Sequence, residues 1–440
     1  MIRVMPDQSP QNSAEEHHQN ALYLISAVCM IFMTLAIAVQ PLYLRNFLNI
    51  PFANAGAINA GVNVITETID LVLIGYLGYL SDRYGRVPII TYGFVAAAIG
   101  AFLSPFSLEI GAFFGLTGLT IYFLTRVIMS LGTGGVWPQL ATLAGDFSNA
   151  ENRPRLMANT AFMMALGATI VYAVLMQIPK HTGLIAVMSM IGVFALIGAW
   201  LTKTCLIDVA PRLEKTEVPL RRIWNLVRNE RHLRLTFITA FFSRNDMVLV
   251  GLFLMMWYIY FADVVGISQV DAAAHAGMIL GLVGIVVLIT IPLWGIFIQH
   301  FGRVAAIAAG LALSGIGFVG LGFVVNPFDF SILLPTVLFA TGQAGCLVAP
   351  QVLTIDLAPK ELRGSVIGAF NTVGTVGIIF FIQIGGILFD TIGPHAPFVF
   401  TGAANLLIVG YALWVLNTDL KNRKTSEDEI LARDLSADDI

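Results

Sequence analysis

Four polar residues recur at helical spacing within one apolar segment of the chain: Asn59, Asn63, Glu67 and Asp70. Their steps of four, four and three residues place all four on one face of an α-helix. If the segment crosses a membrane, counting inward from Gly78 puts Glu67 about 16 Å deep, near the middle of a ~30 Å hydrocarbon core. A carboxylate at that depth is costly, so we expect it to face water, pair with a cation or carry a proton.

Two arginines and a third acid are predicted at similar depth in other apolar segments. Arg126 lies within one of them, and Arg244 and Asp246 lie about ten residues into another. This combination suits proton exchange at Glu67 or Asp70 while an arginine holds an anion or tunes the acid. A static ion pair that only orders the helices is the structural alternative. The predicted coupling or substrate cavity comprises Asn59, Asn63, Glu67, Asp70, Arg126, Arg244 and Asp246.

Other chemistry finds little support in the sequence. Its three cysteines (Cys29, Cys205 and Cys346) have no paired spacing, and none of its seven histidines lies in the middle of an apolar segment. We therefore expect no preformed metal site and no disulfide framework. No phosphate-binding Gly-Lys-Ser/Thr loop and no recognisable nucleophile–base pair occurs. The chain is predicted not to be an enzyme, to need no cofactor and to bind no nucleic acid.

The composition predicts an integral membrane protein. Hydrophobic residues make up 57% of the 440 residues and charged residues only 12%, which is far outside the range of soluble domains. Hydropathy predicts an all-α membrane fold with twelve spans, at 21–44, 55–80, 87–104, 112–144, 156–178, 183–202, 235–262, 272–298, 304–325, 332–357, 366–389 and 398–416.

Charge distribution then orients the spans and divides the chain. All but four of the 24 Lys and Arg residues fall on the face that carries both termini; the exceptions are Arg45 and Lys180 on the other side, and Arg126 and Arg244 within spans. This asymmetry predicts that both termini are cytoplasmic. The predicted parts are a tail (1–20), a six-helix bundle (21–202), a linker with an amphipathic helix (203–234), a second bundle (235–416) and an acidic tail (417–440).

A charge-dense turn between the second and third spans, Gly78–Arg86, has a counterpart in the second half of the chain. Gly295–Arg303 repeats the spacing of its glycines and final arginine, although Gln299 and His300 replace Asp82 and Arg83. A second group, Asp146, Glu151 and Arg153, recurs as Asp356, Glu361 and Arg363. Correspondences in one order indicate a duplicated six-helix unit. Two such units can bind a substrate between them and expose it to each side in turn.

The turn itself, Gly-x-Leu-Ser-Asp-Arg-x-Gly-Arg, resembles the loop that is the hallmark of major facilitator superfamily transporters. Arg126, followed by Met129, Ser130 and Gly132, partly resembles the family's fourth-helix pattern, which has Gln and Gly where this chain has Met129 and Ser130. The resemblance implies two six-helix bundles and a conformational gate rather than substrate contact at the turn. The implied gate residues are Gly78, Asp82, Arg83, Gly85, Arg86, Gly295, Gly302 and Arg303.

A second resemblance covers the whole chain. The stretch from Phe52 to Asn59, the turn, and Arg244 to Asp263 are similar to the major facilitator proteins of bacterial magnetosome membranes. That resemblance implies iron or an iron complex as substrate, a place in the magnetosome membrane, and Glu67, Asp70, Asp246 and Asp263 as candidate oxygen ligands. A transporter of a small organic or drug-like solute, and a non-transporting scaffold or sensor, stay open as alternatives. The expected partners are a small-molecule or ion substrate and the lipid bilayer.

Overall fold

The computed structural model describes residues 10–147, 153–208, 220–244, 246–359 and 362–437, and these residues form helices and no strands. The first half of the chain contains α1 (Pro10–Asn46), α2 (Ala55–Tyr84), α3 (Arg86–Leu103), α4 (Ser107–Phe114), α5 (Gly118–Asp146), α6 (Arg153–Ala173), α7 (Pro179–Thr182) and α8 (Leu184–Cys205). The second half contains α9 (Leu220–Asn229), α10 (Arg231–Ser243), α11 (Asp246–Val265), α12 (Gln269–Phe301), α13 (Arg303–Leu321), α14 (Leu333–Leu357), α15 (Arg363–Thr391) and α16 (Ala396–Ala437).

The predicted all-α membrane fold is confirmed. Eleven helical segments among the described residues are long and apolar enough to cross a membrane. The remaining predicted span coincides with α2, whose thirty residues extend about 45 Å. α9, which lies in the predicted linker, is a separate ten-residue helix with its arginines exposed and Ile223 buried.

Two predicted spans differ in the structure. The fourth was predicted to start at residue 112, but Gly115 adopts a left-handed conformation (φ +69°) and ends α4. α5 then starts after Thr117, whose hydroxyl oxygen accepts a hydrogen bond from the Thr120 N–H at 3.2 Å. The seventh span, predicted as one helix, is interrupted between α10 and α11. The interruption falls where consecutive polar residues break the apolar run; Arg244 lies in a turn there, and Asn245 is outside the described residues.

The two halves meet along three pairs of helices: α1 with α11, α2 with α15, and α6 with α12. Glycines allow the last pair to approach closely. A Cβ added to Gly281 would lie 2.9 Å from the Cα of Ala173, and one added to Gly277 would lie 2.8 Å from the Tyr172 carbonyl oxygen. Below, the terminal face is the end of the bundle that carries the joints 84–86 and 301–303, and the distal face is the opposite end.

The duplication is visible as two equivalent joints on the terminal face. A single glycine separates α2 from α3 and another separates α12 from α13; Gly85 has φ +99° and Gly302 has φ +85°. Both values lie where residues with a side chain are strained. The arginine that follows each glycine pairs with the corresponding aspartate of its own half: Arg86 with Asp146 at 2.8 Å, and Arg303 with Asp356 at 2.9 Å.

Candidate functional site at the junction of the two halves

Glu67 is the centre of a charged cluster to which both halves contribute. The residue is half-buried on α2, and its carboxylate interacts electrostatically with Asp70, with Arg126 of the first half and with Arg244 of the second. No direct ion pair joins Glu67 to either arginine among the residues that the structure describes. The cluster therefore holds separated charges within the membrane, where isolated charges are costly.

Asp70 is fixed by two hydroxyl groups of α5. Ser130 donates to one of its carboxylate oxygens at 2.9 Å, and Thr133 donates to the other at 3.1 Å. Ser130 is one of the two positions at which the chain departs from the fourth-helix pattern. The structure gives this departure a physical reason, because a serine hydroxyl can donate to Asp70 and a glycine cannot.

Arg126 is buried without a direct partner. Its exposed fraction is 6%, and its Nε lies in the interior without a hydrogen-bond acceptor. Among the described residues, Arg126 interacts with Glu67, Asp70 and Tyr122 electrostatically and makes no ion pair or hydrogen bond with them. A buried guanidinium in this state is an unused set of planar hydrogen-bond donors.

Arg244 reaches the cluster from the interruption between α10 and α11. One terminal nitrogen donates to the side-chain oxygen of Asn371 on α15 at 2.9 Å. Its stem passes Gly374 so closely that an added Cβ would lie 2.1 Å from the arginine Cδ. Asn371 and Gly374 thus set the position of Arg244, and no other described residue accepts a hydrogen bond from its guanidinium.

The two predicted cavity asparagines make hydrogen bonds within and beside α2. Asn59 and Asn63 are buried, and each amide donates to the carbonyl four residues earlier, at 2.9 Å in both cases. Gln40 of α1 donates to the Asn59 side chain at 3.2 Å. Asn59 therefore joins α2 to α1. The side chain of Asp246 is outside the described part of the chain.

The halves are joined by polar contacts on the distal face. Arg45 of α1 pairs with Asp263 of α11 at 2.6 Å and lies 5.2 Å from the ring centroid of Tyr260, whose hydroxyl donates to the Ile50 carbonyl at 3.0 Å. Lys180 pairs with Asp271 at 3.2 Å. Sequence reasoning placed Arg45 and Lys180 on this face but did not identify their partners.

Asp390 provides the most specific distal contact, and sequence reasoning missed it. This residue near the end of α15 accepts hydrogen bonds from the backbone N–H groups of Gly56 at 2.6 Å and Ala57 at 2.8 Å. A carboxylate of the second half thus occupies the positive amino end of α2 in the first half. We call the contacts of Arg45, Tyr260, Lys180 and Asp390 the distal seal.

The predicted gate residues occupy the terminal face. Arg83 is exposed against the ring of Tyr84, and Arg86 is buried in its pair with Asp146. The surroundings of Gly78 and the side chain of Asp82 are not described, and no described atom lies within 4 Å of a Cβ built on Gly295. Asp208, which the sequence did not single out, caps α3 by accepting from the backbone N–H groups of Arg86 and Val87 at 2.6 and 3.0 Å.

Of the acids proposed from the sequence as oxygen ligands for iron, Asp263 lies apart from Glu67 and Asp70, and the side chain of Asp246 is outside the described residues. Asp263 belongs to the distal seal, whereas Glu67 and Asp70 belong to the central cluster. Within the described ranges no three His, Cys, Asp or Glu side chains come together as they would to hold a metal ion.

Comparison with known proteins agrees with this architecture. The family model described as Major Facilitator Superfamily matches residues 22–381 and 271–436. The magnetosome protein MamH of Paramagnetospirillum magneticum is 58% identical over 403 residues, which cover 92% of this chain and 93% of that protein. The magnetosome protein MamZ of Magnetospirillum gryphiswaldense is 41% identical over 401 residues, covering 90% of this chain but only 62% of the longer MamZ. A crystal structure of a D-xylose–proton symporter superposes with a TM-score of 0.72 over 90% of this chain and 96% of its own, at 15% identity, which is a likeness of fold alone.

Proposed function

Because the chain belongs to the major facilitator superfamily, whose members are transporters and not enzymes, we propose that it is a proton-coupled secondary transporter that carries iron or an iron complex by alternating access. The observation that carries this proposal is the position of Glu67. It lies near the predicted midplane, and its carboxylate interacts electrostatically with one arginine of each half. Any relative movement of the halves changes the distance from Glu67 to Arg244 but not to Arg126.

That geometry couples protonation to conformation. When Arg244 is near, its positive charge favours the ionised form of Glu67; when the halves separate around the cluster, that support is withdrawn and a proton is favoured. Glu67 is thereby suited to take a proton on one side of the membrane and to release it on the other. Asp70 is held by Ser130 and Thr133 within its own half, so its surroundings change less.

The conformation represented here corresponds to a transporter closed at the distal seal. The terminal face carries nearly all the lysine and arginine residues outside the spans, and we assign it to the cytoplasmic side. On that assignment the distal seal separates the central cluster from the compartment across the membrane.

The cargo and location are inferred from relatives. Two proteins that resemble this chain over at least 90% of its length are magnetosome proteins. We therefore propose that this protein lies in the magnetosome membrane or in the inner membrane connected with it, and that iron for the mineral is what it moves. Transport of a small organic solute without iron is the competing outcome of the test below.

Purified protein in liposomes tests the proposal directly. Iron, offered as ferrous ion and as ferric citrate, should accumulate against its own gradient when a pH difference is imposed, and a protonophore should abolish accumulation. Liposomes without protein and liposomes with the Glu67→Gln variant are the controls. Failure of both forms of iron to accumulate, with an iron-free organic acid accumulating instead, would reject iron as the cargo.

A further inference from the structure

The two arginines of the central cluster have more hydrogen-bond donors than the protein supplies with acceptors. Each guanidinium carries five N–H donors. Among the described residues, Arg244 uses one of them on Asn371, and the Nε of Arg126 has no partner although that residue is 6% exposed. A buried charged donor without a partner, as at Nε of Arg126, indicates that something else accepts its hydrogen bond in part of the working cycle. Arg244 is half-buried and offers its remaining donors to the same cluster.

The acids of the cluster do not accept hydrogen bonds from the arginines in this arrangement. Asp70 lies within hydrogen-bond distance of the Ser130 and Thr133 hydroxyls instead. Glu67 acts on both arginines through space without contacting either of them. Arg244 is also held in place by Asn371 and by the close passage of its stem at Gly374. The missing acceptors would therefore come from a ligand that lies between the arginines.

We propose that Arg126 and Arg244 form a clamp for a small oxyanion with at least two carboxylate or phosphate groups, one guanidinium from each half binding it. This inference rests on the proposed function, because it assigns the substrate class of the same site. Guanidinium groups bind carboxylate and phosphate oxygens with two parallel hydrogen bonds. Two arginines repel a free metal cation. A metal that binds at this site is therefore carried within an anionic chelate.

The clamp also assigns a role to Glu67. Its negative charge opposes an anion held by the same arginines, so the anion binds best when Glu67 carries a proton. Among the residues whose side chains are described, Asp70 and both arginines are the other charged groups that interact with Glu67. Anion and proton then bind together, as they do in a symporter.

Equilibrium binding to the full-length protein in nanodiscs tests the clamp. The probes are citrate, ferric citrate, inorganic phosphate and ferrous ion. We expect binding of citrate or phosphate that weakens about tenfold or more in Arg126→Gln and in Arg244→Gln and is unchanged in Arg228→Gln, an exposed arginine of α9. The relative strengths for citrate and phosphate identify the preferred oxyanion, and ferric citrate shows whether iron accompanies it.

A variant that is expected to bind more tightly distinguishes an effect on the clamp from misfolding, because misfolding can only weaken binding. Glu67→Gln removes the opposing charge and should bind the same anion about threefold more tightly or better. The clamp is overturned if no oxyanion binds, if binding ignores both arginine substitutions, or if ferrous ion alone binds and depends on Glu67. Binding without transport in the liposome assay would reject the proposed function and retain the clamp. Uptake of free ferrous ion without anion binding would reject the clamp and retain the proposed function.

Discussion

At the scale of single residues, two acids that look equivalent in the sequence have different surroundings. Their spacing placed Glu67 and Asp70 on one face of a helix, and the structure does bring them into one cluster. Their difference was not predictable, because it depends on Ser130 and Thr133, which lie on another helix 60 and 63 residues away in sequence from Asp70. Asn59 shares the same spacing yet binds a neighbouring helix, because Gln40 of α1 donates to its side chain, and the Asn63 amide donates within α2.

This difference predicts unequal effects of two conservative substitutions. Glu67→Gln should abolish accumulation driven by a pH difference while sparing exchange of substrate at zero gradient, because the site stays intact but carries no exchangeable proton. Asp70→Asn should reduce accumulation less and should lower stability by about 1–3 kcal/mol, since it disturbs the hydrogen bonds from Ser130 and Thr133. Accumulation and exchange in liposomes, with thermal unfolding of each variant, measure both effects. Undiminished accumulation by Glu67→Gln would exclude it as the coupling acid.

At the scale of helices, hydropathy located the spans, but it could not locate the contacts between them. The interruption between α10 and α11 puts Arg244 in a turn, and its stem passes Gly374 of α15. The distal seal joins the end of α15 to the start of α2 through Asp390 and Gly56, 334 residues apart. Nothing in either segment alone indicates that pairing. The pairing follows from how the two bundles meet. Glycine is needed at positions 56 and 386 because α2 and α15 touch there without side chains between them.

Gly56→Ala should therefore open the distal seal. A Cβ at this position would lie 2.2 Å from the Gly386 carbonyl oxygen and 2.7 Å from the Asp390 carboxylate, so α2 and α15 must separate. Overpacking of this kind costs about 1–3 kcal/mol and shifts the population toward a distal-open state. The readout is maleimide labelling of a cysteine placed at Ala55, which is fully buried, in a background without Cys29, Cys205 and Cys346.

The matched control for that experiment is Gly410→Ala in α16, where an added Cβ meets no atom within 4 Å. Labelling at position 55 should be faster in Gly56→Ala than in the parent and unchanged in Gly410→Ala. Equal labelling rates in all three proteins would show that the glycine contact does not hold the distal side closed.

At the scale of the whole molecule, the two halves match in the backbone of their glycine joints but differ in how deeply the corresponding ion pairs are buried. The sequence predicted two equivalent turns from Gly78–Arg86 and Gly295–Arg303, and the structure has matching glycine joints followed by matching ion pairs. The side chains of Arg86 and Asp146 are only 10% and 17% exposed, whereas those of Arg303 and Asp356 are 47% and 43% exposed. Burial of this kind depends on neighbours such as Asp208, and sequence spacing does not report it.

Because the two ion pairs differ in burial, the exposed pair of the second half serves as a control for the buried pair of the first half. Arg86→Ala should leave the protein folded and inserted but slow transport severely, because it breaks a largely buried ion pair with Asp146, a loss of about 3 kcal/mol. Arg303→Ala removes an exposed pair worth about 1 kcal/mol or less, so its transport rate should stay near that of the parent. Initial uptake rates in liposomes, normalised to inserted protein, together with melting temperatures, compare the two. If both variants lose transport equally, the gate depends on the symmetry of the two turns rather than on the buried pair; if neither does, the turn of the first half is not a gate.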